Sequence, residues 1–446
     1  SALFWGLSAH AQQGDGFGLS GFARNEWSVG TNHASPPSQP CYGDSRGVLG
    51  YPGCGAASEQ IQQRAFTTTP LFQVTGKGAY EFDSGVKVDA VLTQRWRDGK
   101  VDIVGQNWYE RNVGIQHPEY GTLRAGTQLA RSWSRQDAFS YPIGLSSAWS
   151  ETGAGFSVLP ESLRYTSPLF EVGLGKLTLE ATYANANRFN QVQNPAIPSA
   201  SARPEFLELF AQYSDEKNLI EVIFDTARNA SQSSWGKNPL VGAANFPLLS
   251  TGMYPTGYPF NVYGSTPKQN MLSIMGNHWF DTQWMLTWGV RRSHWSGQAL
   301  VCDYSSAYNG CVYQGGFNIS SLGLGSQWGT IYPGWGATET DVLLGLSYTR
   351  ELWTYTAGVV YLSKAQTSNP IQWGQGNSAQ IGNLGVYRKM PEVARNFSVY
   401  GGVGGIHFDQ LGPAPISMPS NTAISGVDPR TRRYGYSLTV GGLLTF

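Results

Sequence analysis

The charged residues of this chain alternate with apolar residues in a way that could line a water-filled channel. In VKVDAVLTQRWR (86–97), Ala90 and Leu92 fall on one side, and Lys87 and Asp89 fall on the other. Side chains alternate between the two faces of a β-strand, so charge and hydrocarbon occupy opposite faces. If the charged faces enclose a pore, the pore-lining basic residues by this parity are Arg24, Lys77, Lys87, Arg95, Arg97, Arg111 and Arg124. The pore-lining acidic residues of the strands are Glu180, Glu208, Glu221 and Asp225.

The chemistry that these two groups predict is electrostatic. The basic residues fall on the first five predicted strands and the acidic residues on the seventh to ninth, so the two signs oppose each other. Opposed charges across a narrow, low-dielectric passage produce a transverse field, which orients polar solutes and sets ion selectivity. The alternative interpretation is that solvated charges are scattered over the lumen by chance.

The histidines give no sign of an enzyme active site. They are scattered, without an obvious Ser or Asp partner in sequence, and none belongs to a His-Glu-x-x-His zinc motif. The six are His10, His33, His117, His278, His294 and His407. We therefore predict no enzyme, no cofactor and no metal site. An outer-membrane barrel enzyme, whose catalytic partners would be distant in sequence, is the alternative.

Four cysteines form two close pairs, Cys41 with Cys54 and Cys302 with Cys311. Each pair lies in a segment rich in Gly, Pro, Ser and Tyr, as is typical of a loop. In an exported chain such pairs are predicted to form disulfides within loops, because a short separation closes at little entropic cost. Zinc is the alternative, but neither pair has Cys-x-x-Cys spacing, and His33 is the only histidine nearby.

The composition limits the classes of protein to which the chain can belong. Charged residues make up 13% of the 446 residues, against about 25% in a typical soluble domain. The formal net charge is zero, which predicts no nucleic-acid partner. No stretch approaches the roughly 18 apolar residues that a transmembrane helix requires. The other backbone that satisfies its hydrogen bonds in lipid is a closed β-barrel.

Segments of roughly ten residues with alternating polarity recur along the chain. In the final segment, YGYSLTVGGLLTF (434–446), Tyr434, Tyr436 and Leu438 share one face. Short turns alternate with long connections, and about sixteen strands fit between them. The sequence therefore predicts an all-β, transmembrane antiparallel β-barrel. Its final strand is expected to pair with the first strand, near Phe17 to Trp27.

The predicted domain organisation is one barrel behind a short N-terminal segment. SALFWGLSAHA (1–11) resembles the end of a signal peptide with an Ala-x-Ala cleavage site, and an intact N-terminal segment is the alternative. The barrel then occupies residues 12–446. Its first long loop is predicted at 31–62 and its third at 131–161, and both ends of the barrel fall on the side of the short turns.

Several segments resemble the trimeric general porins of Gram-negative bacteria, in particular the proteobacterial type. They are NVGIQHPEYGTLRAGTQ (112–128), ESLRYTSPLF (161–170), FSVYGGVGG (397–405) and the final YSLTVGGLLTF, and they occur in the order of the family. Phe446 also resembles the C-terminal aromatic residue that the outer-membrane assembly machinery recognises. The resemblance implies a multi-pass homotrimer in the Gram-negative outer membrane, in contact with lipid and lipopolysaccharide.

The resemblance also implies a function. Members of this family are passive diffusion channels for small hydrophilic solutes and ions, and their third extracellular loop folds inward to narrow the pore. In this chain the corresponding loop is 131–161. Asp137 and Glu151 are the expected pore-lining acidic residues of this loop, although Arg131 and Arg135 on the same loop oppose their charge.

The chain also departs from the family. Thr127 stands where members often carry an Arg, the Pro-Glu-Phe-Gly-Gly motif of the enteric constriction loop is absent, and the loops are longer. Aromatic residues in these loops could form an entry path for sugars or aromatic nutrients. The alternative function is therefore a substrate-selective channel with 18 strands. Because early strands of the family face a trimer interface as well as the pore, Arg111 and Arg124 have two possible environments.

Overall fold

The structure, a computed structural model, describes the barrel strands and the short turns between them. The described residues are 16–30, 66–97, 100–101, 108–140, 158–185, 205–228, 268–296, 299–303, 310–314, 336–364, 366–367, 378–410, 415 and 433–446. The predicted signal segment 1–11, the cysteines Cys41 and Cys54, and Glu151 lie outside these ranges. Within the described ranges, no helix is long and apolar enough to cross a membrane.

Almost all of the described secondary structure is β-strand, as the alternating segments predicted. The helix α1 spans Arg131–Ser140. The strands are β1 (Gly16–Gly30), β2 (Phe66–Glu81), β3 (Lys87–Arg97), β4 (Lys100–Val101), β5 (Glu110–His117), β6 (Gly121–Leu129), β7 (Val158–Thr166), β8 (Phe170–Val172), β9 (Gly175–Asn185), β10 (Glu205–Ser214), β11 (Asn218–Arg228), β12 (Lys268–Trp279), β13 (Trp284–Ser296), β14 (Ala299–Asp303), β15 (Gly310–Gln314), β16 (Gly336–Arg350), β17 (Trp353–Leu362), β18 (Gln366–Thr367), β19 (Ala379–Lys389), β20 (Phe397–Phe408) and β21 (Tyr434–Thr445).

Sixteen of these strands form one closed antiparallel β-barrel. Each pairs with the next barrel strand along the chain, and β21 pairs back with β1, where Phe22 lies opposite Thr445. After β21, the backbone N–H of Phe446 donates to Gly21 at 3.0 Å and its carbonyl accepts from Gly21 at 2.8 Å. The predicted fold and the closing strand pair are confirmed, and the alternative of 18 barrel strands is wrong.

The remaining short strands extend the barrel strands or stand apart from them. β8 continues β7 along β9, while β4 and β18 add short pairings to β3 and β16. The β14–β15 hairpin forms a separate sheet in which Cys302 lies opposite Cys311. Opposed residues of an antiparallel pair have Cα atoms about 4.5–5.5 Å apart, which is within the range of a disulfide. The backbone therefore suits the predicted local pairing, and the disulfide itself stays a prediction.

The two faces of the barrel wall differ as the alternation predicted. On β16, Leu344 and Leu346 point outward and are 50% and 40% exposed. Asp341, Leu343 and Ser347 point inward and are buried. An apolar outer face can meet lipid without leaving polar side chains in hydrocarbon, whereas the inner face carries the charged residues.

Tight turns join the strands at one end of the barrel. After β10, the carboxylate of Asp215 accepts bonds from the backbone N–H groups of Lys217 and Asn218, both at 2.8 Å. These hydrogen bonds, that from Lys217 first, lower the pKa of Asp215. Asp281 makes the same two kinds of bond in the turn after β12. The connection that carries α1 leaves from the opposite end, as predicted for the third loop.

Because the two faces of β16 meet different surroundings, we expect different outcomes for an outward and an inward substitution on this strand. Leu344→Arg places a charge on the outward face and should destabilise the barrel by about 2–4 kcal/mol near the membrane midplane. Ser347→Arg points inward, so it keeps its charge out of hydrocarbon and should destabilise the barrel less. Urea unfolding in lipid vesicles measures both effects. Equal losses of stability in the two variants would show that the faces are assigned incorrectly.

Candidate functional site

The helix α1 starts at the end of β6 and lies inside the barrel against its inner wall. Its first intrahelical bond runs from Ser134 N–H to the carbonyl of Ala130, at 3.0 Å. Ala130 has no side chain that could cap the free N–H groups of the first turn. Glu208 of β10 caps them instead, because its carboxylate accepts from the backbone N–H groups of Arg131 and Ser132 at 2.8 and 2.9 Å. The negative carboxylate also suits the positive end of the helix dipole.

The first side chain of the helix is held by a second carboxylate. Arg131 Nε and Nη2 donate to the two oxygens of Glu180 on β9, at 2.5 and 2.7 Å. Thr166 of β7 donates to the same carboxylate at 2.8 Å. Burial alone would lower the pKa of Arg131, but the Glu180 carboxylate raises it, so the guanidinium stays charged. A bidentate pair of this kind fixes both position and orientation.

A third carboxylate holds the next turn of the helix. Arg135 Nη2 donates to Glu221 on β11, and Gln212 of β10 donates to the same oxygen. Glu221 is fully buried and Arg135 nearly so. Removing one partner of a buried ion pair typically costs about 3–5 kcal/mol, because the other charge is left uncompensated. The contact therefore resists separation of α1 from the wall.

Arg164 of β7 connects the helix start to the same wall. Its Nη2 lies 3.8 Å from Glu208 and donates to the carbonyl of Leu129 at 2.7 Å, and its Nε donates to Thr182 at 2.8 Å. Arg164 was not among the predicted site residues, although its alternation with the outward-facing Leu163 and Tyr165 would have placed it inside. Two arginines of α1 and Arg164 of β7 thus contact three carboxylates of the wall.

The opposite part of the inner wall, on β1 to β6, carries half-buried polar side chains. Arg124 donates to both oxygens of Asp89 at 2.6 and 2.9 Å, and its Nη1 donates to Asn112 at 2.7 Å. Gly114 lies beneath this contact. A Cβ there would come within 2.7 Å of both Arg124 Nη2 and Asp89 Oδ1, so a larger residue would displace the pair. Sequence reasoning placed Asp89 on this face without assigning it to the site.

Two further arginines lie on the inner face of β1 to β6. Arg24 of β1 is 3.6 Å from Glu26, which accepts a hydrogen bond from Tyr400 of β20 at 2.8 Å. Arg95 of β3 donates to the hydroxyl of Tyr109 at 2.8 Å. Trp133 of α1 donates to the same hydroxyl at 3.1 Å, so Tyr109 connects the polar wall to the helix.

The inner wall from β10 to β20 is largely buried and carries both hydrophobic and charged side chains. Its inward-facing hydrophobic side chains form one buried cluster, which consists of Phe210, Leu219, Ile223, Met271, Met275, Leu343, Val360, Leu362, Ala379, Ile381, Ile406 and Phe408. Within this region the ion pair of Arg291 with Asp341, at 2.7 Å, is also fully buried. In the described residues the inner surface is thus divided into a buried side and the half-buried polar side on β1 to β6.

Most of the predicted strand residues lie on the inner face. The strand register puts Arg24, Lys77, Lys87, Arg95, Arg124, Glu180, Glu208, Glu221 and Asp225 there. By register Arg97 falls on the inner face of β3, since it pairs with Leu71 of β2. Asp137 lies within α1. The side chains of Arg97 and Asp137 are outside the described part of the chain. Asp225 is buried opposite Glu208, next to Ser132 of α1.

Arg111 is a correction to the predicted pore lining. It is exposed and pairs with Leu92 on the outward face, while Glu110 and Asn112 on either side of it point inward. The parity of β5 is therefore opposite to the one assumed. Glu180, Glu208 and Glu221 contact arginines of α1 or β7, and the transverse field stays a prediction.

Comparison with known proteins supports the fold through structure alone. No family model matches the chain, and no curated protein sequence matches it. The anion-selective porin from Comamonas acidovorans is similar with a TM-score of 0.58 and 10% identity, over 97% of this chain and 99% of that one. Salmonella typhi OmpF, in a complex with daunomycin, is similar with a TM-score of 0.53 and 11% identity, over 97% and 98% of the two chains.

A third solved structure agrees with these two. OmpT expressed in the outer membrane of Vibrio cholerae is similar with a TM-score of 0.52 and 11% identity, over 96% of this chain and 97% of that one. At such low identity the likeness concerns the fold and not the activity. The chain therefore has the closed barrel fold of the general porins along almost its whole length.

Proposed function

We propose that this protein is an outer-membrane porin, a passive diffusion channel for small hydrophilic solutes and ions. The observation that carries the proposal is the helix α1, which is fixed inside a closed barrel by Glu180, Glu208 and Glu221. A segment held in this way narrows the lumen without filling the polar side on β1 to β6. A lumen narrowed by polar walls selects solutes by size and charge.

The porin class also implies an oligomeric state and a location for this protein. We infer a homotrimer in the outer membrane of a Gram-negative bacterium, with its outward apolar face in contact with lipid and lipopolysaccharide. Among the similar structures, in-vitro folded OmpT of Vibrio cholerae was described in a trimer form, with a TM-score of 0.53 to this chain. The exposed outward leucines of β16 support contact with lipid.

The passage is proposed to run along the polar side of the lumen. Its basic residues are proposed to favour anions modestly over cations. Glu180, Glu208 and Glu221 of β9 to β11 contact arginines of α1 or β7, so these three carboxylates contribute little negative charge to the passage. The similar structure from Comamonas acidovorans is described as anion-selective, which agrees with this inference. Basic residues of the polar side are Arg24, Lys77, Lys87, Arg95, Arg97 and Arg124, and acidic residues there are Glu26, Glu81, Asp89 and Glu110.

Two other functions have less support. A channel selective for sugars or aromatic nutrients was inferred from aromatic loops that lie outside the described residues. An enzyme would need an assembled catalytic site. The segment GDSRG (43–47) matches the Gly-x-Ser-x-Gly pattern, but it also lies outside the described residues, and the nucleophile elbow of that motif joins a strand to a helix.

The position of the passage can be tested by thiol labelling from water. Gln73 faces inward opposite Arg95 on the polar side, whereas Ser273 of β12 is fully buried on the other side. In folded protein, Gln73→Cys should react with a charged methanethiosulfonate reagent at least about tenfold faster than Ser273→Cys, because a thiolate must reach water to react. Wild-type protein gives the background of the native cysteines. Faster labelling of Ser273→Cys would place the passage on the wrong side.

Channel recording in planar bilayers tests the proposed function itself. Wild-type protein should form open pores whose reversal potential in a salt gradient favours anions, more at low salt, since the Debye length is about 10 Å at 0.1 M. Arg95→Glu combined with Arg97→Glu should shift the reversal potential toward cations. Folded protein that forms no pores, or that hydrolyses phospholipid or peptide substrates, would contradict the porin assignment.

A matched control separates a local effect from a general change of charge. Lys217→Glu reverses a charge in an exposed short turn, away from the predicted passage. It should leave the reversal potential at the wild-type value. If the arginine double variant also keeps the wild-type reversal potential at low salt, both arginines lie outside the constriction.

A further inference from the structure

The first turns of α1 present two different faces to the barrel wall. Successive residues of an α-helix are rotated by about 100°, so residues four apart share a face and the residue midway between them points away from it. Arg131 and Arg135 are four apart, and both contact carboxylates of β9 and β11. Trp133 lies midway between them and reaches the other side of the lumen, where it contacts Tyr109. The helix is therefore held from two directions.

Tyr109, in the segment just before β5, joins α1 to an arginine of the polar side. Its hydroxyl oxygen accepts from Trp133 Nε1 at 3.1 Å and from Arg95 Nη1 at 2.8 Å. The side chain of Tyr109 is only 5% exposed, so water has little access to this oxygen. Loss of the hydroxyl would leave both donors without this partner.

The backbone places the Tyr109 hydroxyl beside Arg95. The N–H of Tyr109 donates to the carbonyl of Thr93 on β3 at 2.9 Å, and Thr93 and Arg95 share the inner face of that strand. The guanidinium also lies over the tyrosine ring, with its Cζ 5.1 Å from the ring centroid. A stacked contact and a hydrogen bond together fix the position and the plane of the guanidinium.

This contact ties the charge of Arg95 to the helix that we propose narrows the lumen. Arg124 is held differently, since it binds Asp89 on the wall itself. A charge fixed where the lumen is narrow acts on a passing ion at short range, whereas a mobile charge is spread over the lumen and screened by water. The influence of Arg95 on ion selectivity therefore depends on its position as well as on its charge.

We propose that Tyr109 is a specificity-determining positioning residue, which holds the guanidinium of Arg95 at the contact between α1 and the polar side. The inference rests on the proposed function, because it concerns the passage of ions through the lumen. It divides the work between two residues. Arg95 supplies the positive charge, and Tyr109 fixes the place where that charge acts.

Tyr109→Phe tests the proposal because it removes the hydroxyl and leaves the charge of the lumen unchanged. In a salt gradient across a planar bilayer, it should move the reversal potential toward cations by at least about half of the shift that Arg95→Gln produces. In a chain that already carries Arg95→Gln, Tyr109→Phe should cause no further shift, since the charge that it positions is gone. A purely structural role would not depend on Arg95 in this way.

The matched control removes a different buried hydroxyl from the inner wall. Tyr387 of β19 is buried, and its hydroxyl hydrogen-bonds to Ser398 of β20. Tyr387→Phe should keep the wild-type reversal potential.

A second measurement does not require an open pore. Phenylglyoxal modifies accessible guanidinium groups, and mass spectrometry gives the rate of modification at each arginine of the folded protein. Tyr109→Phe should raise the rate at Arg95 at least about threefold, because the guanidinium loses one hydrogen bond. Arg124, bound to Asp89, is the internal reference and should react at an unchanged rate. Heat-modifiable gel mobility shows that each barrel has folded.

Three results would each overturn the proposal: a wild-type reversal potential in Tyr109→Phe, an equal shift with and without Arg95, or an unchanged rate of Arg95 modification. If Tyr109→Phe does not fold, Arg95→Lys is measured instead. It keeps the charge but lacks the planar group that stacks on the ring, so it should also move the reversal potential toward cations, and a wild-type value would reject the proposal. A wild-type protein without pores would contradict the proposed function, while the modification rates would still test the position of Arg95.

Discussion

Glu180, Glu208 and Glu221 hold the helix α1 against the inner wall, and the arrangement of the lumen depends on these contacts. They lie on three successive barrel strands, within about four residues of one another in register on the inner face. The helix supplies its own N-terminal N–H groups and two arginines in return. Since buried carboxylates without partners are costly, the wall and the helix need each other.

Closure of the barrel makes this arrangement possible. Pairing of β21 with β1 leaves no open sheet edge and lets the wall alternate apolar and polar residues around its whole circumference. Inside, the helix is anchored at Glu180, Glu208 and Glu221, and the half-buried polar side of β1 to β6 is where we propose the passage. Arg124, Asp89 and Gly114 show how closely that side is packed.

The sequence predicted the barrel well because strand faces are a local property. The alternation around Leu344 and Ser347 is visible in a few residues, and the closing strand could be recognised in the same way. Arg111 was misassigned because the face of β5 depends on its register against β3, which a segment of eight residues does not fix. The partners of Glu180 and Glu221 could not be predicted, since Arg131 and Arg135 are 49 and 86 residues away in sequence.

Single-channel recording of Arg135→Gln most directly tests the claim that the carboxylates position a constricting helix. The variant leaves Glu221 buried without its charged partner, so α1 should separate more readily from the wall, and the open-channel current should become larger and noisier than in the wild type. Glu392→Gln removes an exposed ion pair with Arg388 and should keep the wild-type current. A folded Arg135→Gln channel with wild-type conductance and noise would contradict the account.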